Sequence, residues 1–182
     1  SAHLRGCPQE LTNCVDSAER EYLPRGITET LSTLDFIDSG LNVCILGPSD
    51  SGKSYLAKAL GIVACNNYKV EYHHCETLLE TLVALKAQDY SKYQKRLKKI
   101  CGAALLILDD FLLHTITDER EVKVLFEILE KRCEINLSTI ICSQREPASW
   151  SSMILNDEVS ANAILKRATK HYTVVIKPRM AD

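Results

Sequence analysis

The chain lacks most of the features that would mark a membrane, metal-binding or secreted protein. No stretch approaches the ~20 consecutive apolar residues of a membrane span, and no signal peptide is visible at its start. The expectation is a cytoplasmic protein with no membrane partner. No Cys-x-x-Cys pair occurs among the eight cysteines, and His73, His74, His114 and His171 do not stand at metal-ligating spacing. Net charge is only −2, which excludes polyanion binding by overall composition. There is no internal repeat, no low-complexity tract, no groove-reading DNA motif, and only one tryptophan, Trp150, expected to anchor the loop after Pro147. What remains is 182 residues, 46% apolar and 25% charged, the composition of one globular domain with a real core. The cysteines, several of them in apolar runs, are expected to be free thiols acting as small hydrophobes in a reducing compartment.

Against that background one stretch stands out. Gly47-Pro48-Ser49-Asp50-Ser51-Gly52-Lys53-Ser54 fits G-x-x-x-x-G-K-[ST]. Such a loop wraps nucleotide phosphates with backbone N–H groups, its lysine reaches the outer phosphates, and its hydroxyl residue ligates Mg²⁺. An apolar strand-type run, residues 42–46, precedes it and a helix-type run, residues 55–64, follows it, with Tyr55 opening that run. Strand, glycine loop, helix is the context the motif requires. The pattern points to ATP with Mg²⁺ as cofactors, with Ser54 as a metal ligand.

Downstream the chain alternates. Residues 69–74 read as a strand and 75–85 as a helix, with Leu78, Leu79, Leu82 and Leu85 at spacings of three and four. Residues 91–101 form a basic amphipathic helix. Residues 103–110 are an apolar run closed by Asp109 and Asp110, of the type buried on both faces of a parallel sheet. A helix over 117–134, a strand over 138–143, a helix over 157–168 and a strand over 172–176 complete the pattern. Upstream, residues 10–25 are polar and acidic, and 28–36 read as one helix that also shows Ile27 and Ile37 on its apolar face. This predicts an α/β fold with a five-stranded parallel sheet covered on both faces.

Asp109 ends a buried strand, where a carboxylate is costly unless a cation or donor answers it. It is a candidate Mg²⁺ ligand, and Asp110 a candidate to orient or deprotonate the attacking water. The alternative is a plain Asp-Asp turn. One of Ser143 and Gln144, ending the next strand, is expected to face the γ-phosphate. Arg167 is either solvated or a finger reaching a neighbouring subunit's nucleotide. Residues 86–99 carry six bases against Asp89 alone. Lys92, Lys95, Arg96 and Lys99 within it are either a solvated helix face or a patch that tracks a DNA backbone with little sequence specificity.

In their order, Gly47 to Ser54, Leu105 to Asp110, Ser143-Gln144-Arg145-Glu146-Pro147 with Trp150, Asn156-Asp157 and Ala163-Ile164-Leu165-Lys166-Arg167 resemble the IstB-like ATP-binding helper proteins of bacterial insertion sequences. These are AAA+ ATPases related to the DnaC helicase loaders. The resemblance covers about residues 8–177. It implies a P-loop AAA+ three-layer sandwich with little or no lid domain, ATP hydrolysis, homo-oligomers with ATP at subunit interfaces, assembly on DNA, and recruitment or stimulation of a transposase. By position it makes Lys53 and Ser54 Walker A, Asp109 the Walker B metal acid, Gln144 the sensor and Arg167 the arginine finger, and it favours DNA contact by the basic segment. It also implies a layout with residues 1–40 as a lead-in, 41–178 as the ATP-binding domain and 179–182 as a tail, and an N-terminal helical domain outside this sequence. Two departures are Asp110 where the family usually has Glu, whose shorter side chain points to slow hydrolysis, and Gln144, longer than the Asn often found at the sensor position. The alternatives are a DnaC-type loader acting with a replicative helicase, and a nucleotide switch with little turnover.

Overall fold

The computed structural model describes residues 3–154 and 158–180, Glu158 in backbone only. In chain order the elements are β1 (Arg20–Leu23), α1 (Ile27–Ser32), α2 (Asp35–Asp38), β2 (Val43–Leu46), α3 (Lys53–Ala64), β3 (Val70–His74), α4 (Cys75–Gln88), α5 (Tyr90–Gly102), β4 (Leu105–Asp109), α6 (Glu119–Glu134), β5 (Ser138–Ser143), α7 (Glu158–Ala168) and β6 (Tyr172–Pro178). The strands form one sheet in the order β1-β6-β2-β5-β4-β3. All neighbours are parallel except β1, which runs antiparallel to β6 with Tyr22 opposite Ile176.

The three layers follow from the two-residue period of a strand, which sends successive side chains to opposite faces. Val43 and Ile45 of β2, Leu105 and Ile107 of β4, and Ile140 and Cys142 of β5 pack into the core beneath α1, α2 and α3. Their neighbours Cys44, Leu106, Leu108 and Ile141 pack into the opposite core with α4, α5, α6 and α7. A strand used on both faces has no polar position to spare, which is why these runs read as continuously apolar. The thiols in this core behave as hydrophobes: burial pushes Cys44 up to about 12 and Cys142 well above its ordinary value.

The sheet has six strands, not five. The extra one, β1, was hidden because only Tyr22 in it is fully buried, so its sequence carries an edge strand's polar look. The upstream segment also places Leu4, Cys14, Tyr22, Ile27 and Leu31 in the same core as β2 and α3. The helix expected over 28–36 is broken into α1 and α2. Leu34 adopts a left-handed φ of 63°, and the Thr33 hydroxyl donates to Thr30 O (2.8 Å) while accepting from Asp35 N (3.2 Å). Side-chain bonds of this kind compete with helix continuation. α5 and α6 start where their caps lie: the Asp89 carboxylate accepts from Lys92 N and the Asp118 carboxylate from Arg120 N. The start of the helix expected from residue 157, together with Asn156-Asp157, lies outside the described residues.

Candidate nucleotide-binding site

β2 is a central strand, and the chain must turn sharply off its end to begin α3. Gly47 opens the turn where no side chain fits: a Cβ there would lie 2.6 Å from Ser51 Oγ and 2.7 Å from Ile176 O. Asp50 (φ 62°) and Gly52 (φ 102°) take left-handed conformations, which bend the loop into a cradle. Lys53 begins α3, and the first intrahelical bond runs from Leu56 N to Gly52 O. The N–H groups before it point out of the helix end with the positive end of its dipole. Ser51 is buried, and its hydroxyl is one of the few buried polar side-chain groups without a hydrogen-bond partner among the described residues. Lys53 is also buried, its Nζ donating to Pro48 O at 2.7 Å. Burial lowers the Lys53 pKa below its ordinary value, and the nearby carboxylates of Asp109, Asp110 and Asp50 oppose that shift. A cation and a helix N-terminus at one hollow fit a phosphate group.

The opposite wall is built where β4 and β5 end, with β3 behind them. Asp109 is fully buried at the end of β4. Its Oδ1 accepts from Asp110 N at 2.9 Å and its Oδ2 accepts from the Tyr72 hydroxyl on β3. Burial and this carboxylate hold the Tyr72 phenol well above its ordinary pKa, so the phenol remains a donor. Asp110 turns the chain at φ 53°, and its carboxylate sits 3.1 Å from His74 Nδ1 at the end of β3. Ser143 is buried and works as a staple, donating to Phe111 O (2.7 Å) and accepting from Arg145 N (3.0 Å). Of the Ser143–Gln144 pair, Gln144 is therefore the one that reaches the hollow. Trp150 is buried edge-on to Phe111 at 4.9 Å, with Nε1 donating to Arg145 O, and so fixes the loop after Pro147.

Between the walls lies a cleft of about 490 Å³. Ser49, Asp50, Gly52, Lys53, Ser54 and Tyr55 line one side, Asp110, Phe111, Leu113 and Gln144 the other, and Arg20 reaches in from β1. Tyr55 is pinned at its Oη by Glu10 N (3.2 Å) and Asn13 Nδ2 (2.8 Å). Among the described residues no group of three or more His, Cys, Asp and Glu side chains is placed to hold a metal alone. A Mg²⁺ ion here needs phosphate oxygens beside Ser54 and Asp109, the usual way this ion is held.

The other candidates lie elsewhere. Arg167 is exposed on α7 and does not line the cleft, and its backbone O accepts from Asn42 Nδ2 at 3.3 Å. Lys92, Lys95 and Lys99 are exposed, whereas Arg96 turns inward with Nη1 3.4 Å from Glu71 Oε1. Arg96 and Lys99 share a groove of about 570 Å³ with Lys69 and Lys98, and Lys92 and Lys95 fall outside it. Sequence reasoning missed Arg20, Tyr72 and His74. The spacing of Tyr72 and His74 puts both on one face of β3, but only the pairing of β3 with β4 brings them to the acids. Arg20 had no local signal.

A family model described as IstB-like ATP binding protein matches residues 8–178. The chain is 38% identical over 166 residues to a putative insertion sequence ATP-binding protein of Sinorhizobium fredii, covering 91% of this chain and 63% of that one. It is 32% identical over 154 residues to the insertion sequence IS21 putative ATP-binding protein of Pseudomonas aeruginosa, covering 84% and 56%. The chain thus spans less than two thirds of these relatives. Among solved structures it resembles the DnaC helicase loader (TM-score 0.70, 19% identity, 97% and 100% covered). It also resembles AMPPCP-bound DnaA from Aquifex aeolicus (TM-score 0.73, 21% identity, 94% and 50% covered). At these identities the likeness is one of fold, the P-loop AAA+ fold.

Proposed function

The chain belongs to the IstB-like ATP-binding proteins, and from that premise we propose that it is an ATPase whose nucleotide cycle assists transposition. ATP occupies the cleft between the loop of residues 47–54 and the Asp110–Gln144 wall. The loop N–H groups and Lys53 hold the phosphates, and Tyr55 borders them from the first turn of α3. Ser54, with Asp109 behind it, would hold Mg²⁺ together with the phosphate oxygens, and the ion would supply charge neutralisation on the phosphates. Asp110 orients or deprotonates the attacking water, and His74 aims its carboxylate. Gln144 reads the outer phosphate from the far lip. We take the ATP-binding unit as residues 41–178 together with β1 and the upstream residues that share its sheet and core, the rest of 1–40 running into it and 179–182 as a tail.

The observation that carries this reading is the cradle. Gly47 and Gly52 stand where any side chain would collide with its neighbours, which lets the loop fold tightly, Lys53 and Ser54 line the hollow it makes, and Asp110 and Gln144 face it across one cleft. Titration with a fluorescent ATP analogue tests it. Lys53→Ala should weaken binding by about tenfold or more while the fold survives, since a charge-assisted contact to phosphate contributes about 1.5–3 kcal/mol. Unchanged affinity overturns the assignment.

Beyond the nucleotide, we infer assembly into oligomers on DNA and contact with a transposase. Exposed Arg167 supports an action on a neighbouring subunit, because it stands clear of its own cleft. The groove of Lys69, Arg96, Lys98 and Lys99 supports backbone-led DNA contact. A second reading, a slow nucleotide switch, is favoured by the short Asp110 side chain held by His74. A loader acting with a replicative helicase shares the same cleft, and pull-downs against transposase and helicase separate the two.

A further inference from the structure

Arg20 belongs to no part of the phosphate loop and lies on a strand absent from the sequence reading. The antiparallel pairing of β1 with β6 sets it opposite Pro178, beside the loop at the end of neighbouring β2. Its Nη1 lies 2.7 Å from where a Cβ on Gly52 would stand, with Cζ at 3.5 Å and Cδ at 3.9 Å. The guanidinium is therefore packed along the turn that delivers the chain into α3, and any side chain at Gly52 would displace it. Only 30% of the Arg20 side chain is exposed. Its carboxylate partner is Glu19, 3.8 Å away and itself 82% exposed, a contact that contributes little. The groups beneath it do not neutralise it either. Burial pushes the Cys14 thiol up to about 11 and raises the Tyr22 phenol above its ordinary value, so both stay uncharged near neutrality. Among the described residues Arg20 thus presents a partly exposed guanidinium to the cleft with no carboxylate nearer than Glu19 at 3.8 Å, the position of a cation open to an incoming anion.

The geometry points to Arg20 as a second cation of the nucleotide phosphate site, contributed by β1 and acting beside Lys53. This rests on the nucleotide reading of the cleft and deepens it. Lys53 approaches the phosphates as a point charge from the first turn of α3. The Arg20 guanidinium approaches from the sheet edge with a planar fork of donors that matches two phosphate oxygens at once. Glu19 is then a surface tether that releases the guanidinium when phosphate arrives. A consequence is that the upstream segment is part of the binding site, so nucleotide affinity depends on β1 being docked on β6.

The test uses Arg20→Gln and Arg20→Lys, with equilibrium titration of fluorescent ATP, ADP and AMP analogues. Urea unfolding without nucleotide checks that both variants keep their fold. Arg20→Gln should weaken ATP binding by about tenfold or more, the loss of one charge-assisted contact. The loss should shrink from ATP to AMP, and Arg20→Lys should recover part of it by restoring charge without the fork. A purely structural role predicts instead an equal loss for all three nucleotides with no recovery by Lys, and that pattern overturns the proposal. Wild-type affinity in Arg20→Gln overturns it as well and leaves the cleft assignment standing. A wild-type protein that binds none of the nucleotides overturns the cleft assignment, and this proposal with it.

Discussion

Asp110 and His74 show how much a single contact decides. Asp110 stands at the mouth of the cleft on a left-handed backbone, which aims its short carboxylate away from the strand axis and into reach of His74 Nδ1 at 3.1 Å. This contact restrains a carboxylate that is otherwise about half exposed, and in the proposed function it sets how Asp110 meets the attacking water. His74→Ala should therefore lower the rate of ATP hydrolysis several-fold while leaving ATP affinity within about twofold, a kcat effect of the kind expected when a positioned base is released. Asp110→Glu probes the same point from the other side. A longer carboxylate should raise turnover; if both proteins already hydrolyse ATP at ~1 s⁻¹ or faster, the slow-switch reading fails. The acids themselves were legible in sequence, because two carboxylates closing an apolar run demand a partner. Their partners were not, because Tyr72 and His74 are 37 and 36 residues away along the chain.

At the scale of elements, the basic helix α5 is bound to the body by two arginines that look alike in sequence and differ in place. Arg132, in the last turn of α6, reads as an ordinary basic C-terminal residue. It is 1% exposed, and burial lowers its pKa to about 10. Its guanidinium donates to Ile100 O, Cys101 O and Ala103 O where α5 ends, and to Thr139 Oγ1 and Ser138 O at the start of β5. The acceptors at the negative end of α5 replace a carboxylate. Arg132→Met keeps the stem and strands those acceptors, so it should destabilise by roughly 2–4 kcal/mol, read from the urea midpoint. Arg96 ties the middle of α5 to buried Glu71 on β3. Burial alone would raise the Glu71 pKa, but the His73 imidazole 3.7 Å away and the charges of Arg96 and Lys99 outweigh it, and the net shift is downward. A carboxylate depressed in the folded state stabilises fully above its unfolded pKa, about 4.5, and loses that stabilisation as pH falls through its folded value. Acidification from about pH 5 to pH 3 should thus lower the melting temperature of the wild type more than that of Glu71→Gln. The periodicity of α5 predicted its apolar stripe correctly, but the same pattern could not tell that Arg96 is turned inward while Lys92 and Lys95 face solvent.

For the whole molecule, assembly is the question that Arg167 raises. Arg167 stands on the surface of α7, and the reading of it as an arginine finger requires a second copy. Size-exclusion with ATP should show larger species than without it, and Arg167→Ala should abolish that shift while retaining ATP binding in the monomer's own cleft. Loss of both together would mark Arg167 as structural. Among the described residues no helix is long and apolar enough to cross a membrane.

The order of strand, loop and helix, the loop itself, the acids Asp109 and Asp110, and the two-sided burial of the central strands were all determined by the sequence alone. Each is local: it depends on residue types within a few positions, on the two-residue period of strands, or on the need of a buried charge for a partner. The sixth strand, the break at Leu34, the pairing of Asp110 with His74, the burial of Arg132 and the approach of Arg20 to Gly52 were decided only by tertiary structure. Each joins residues that the chain keeps apart, and no local pattern encodes which distant surface will meet an edge strand, a helix end or a half-buried cation.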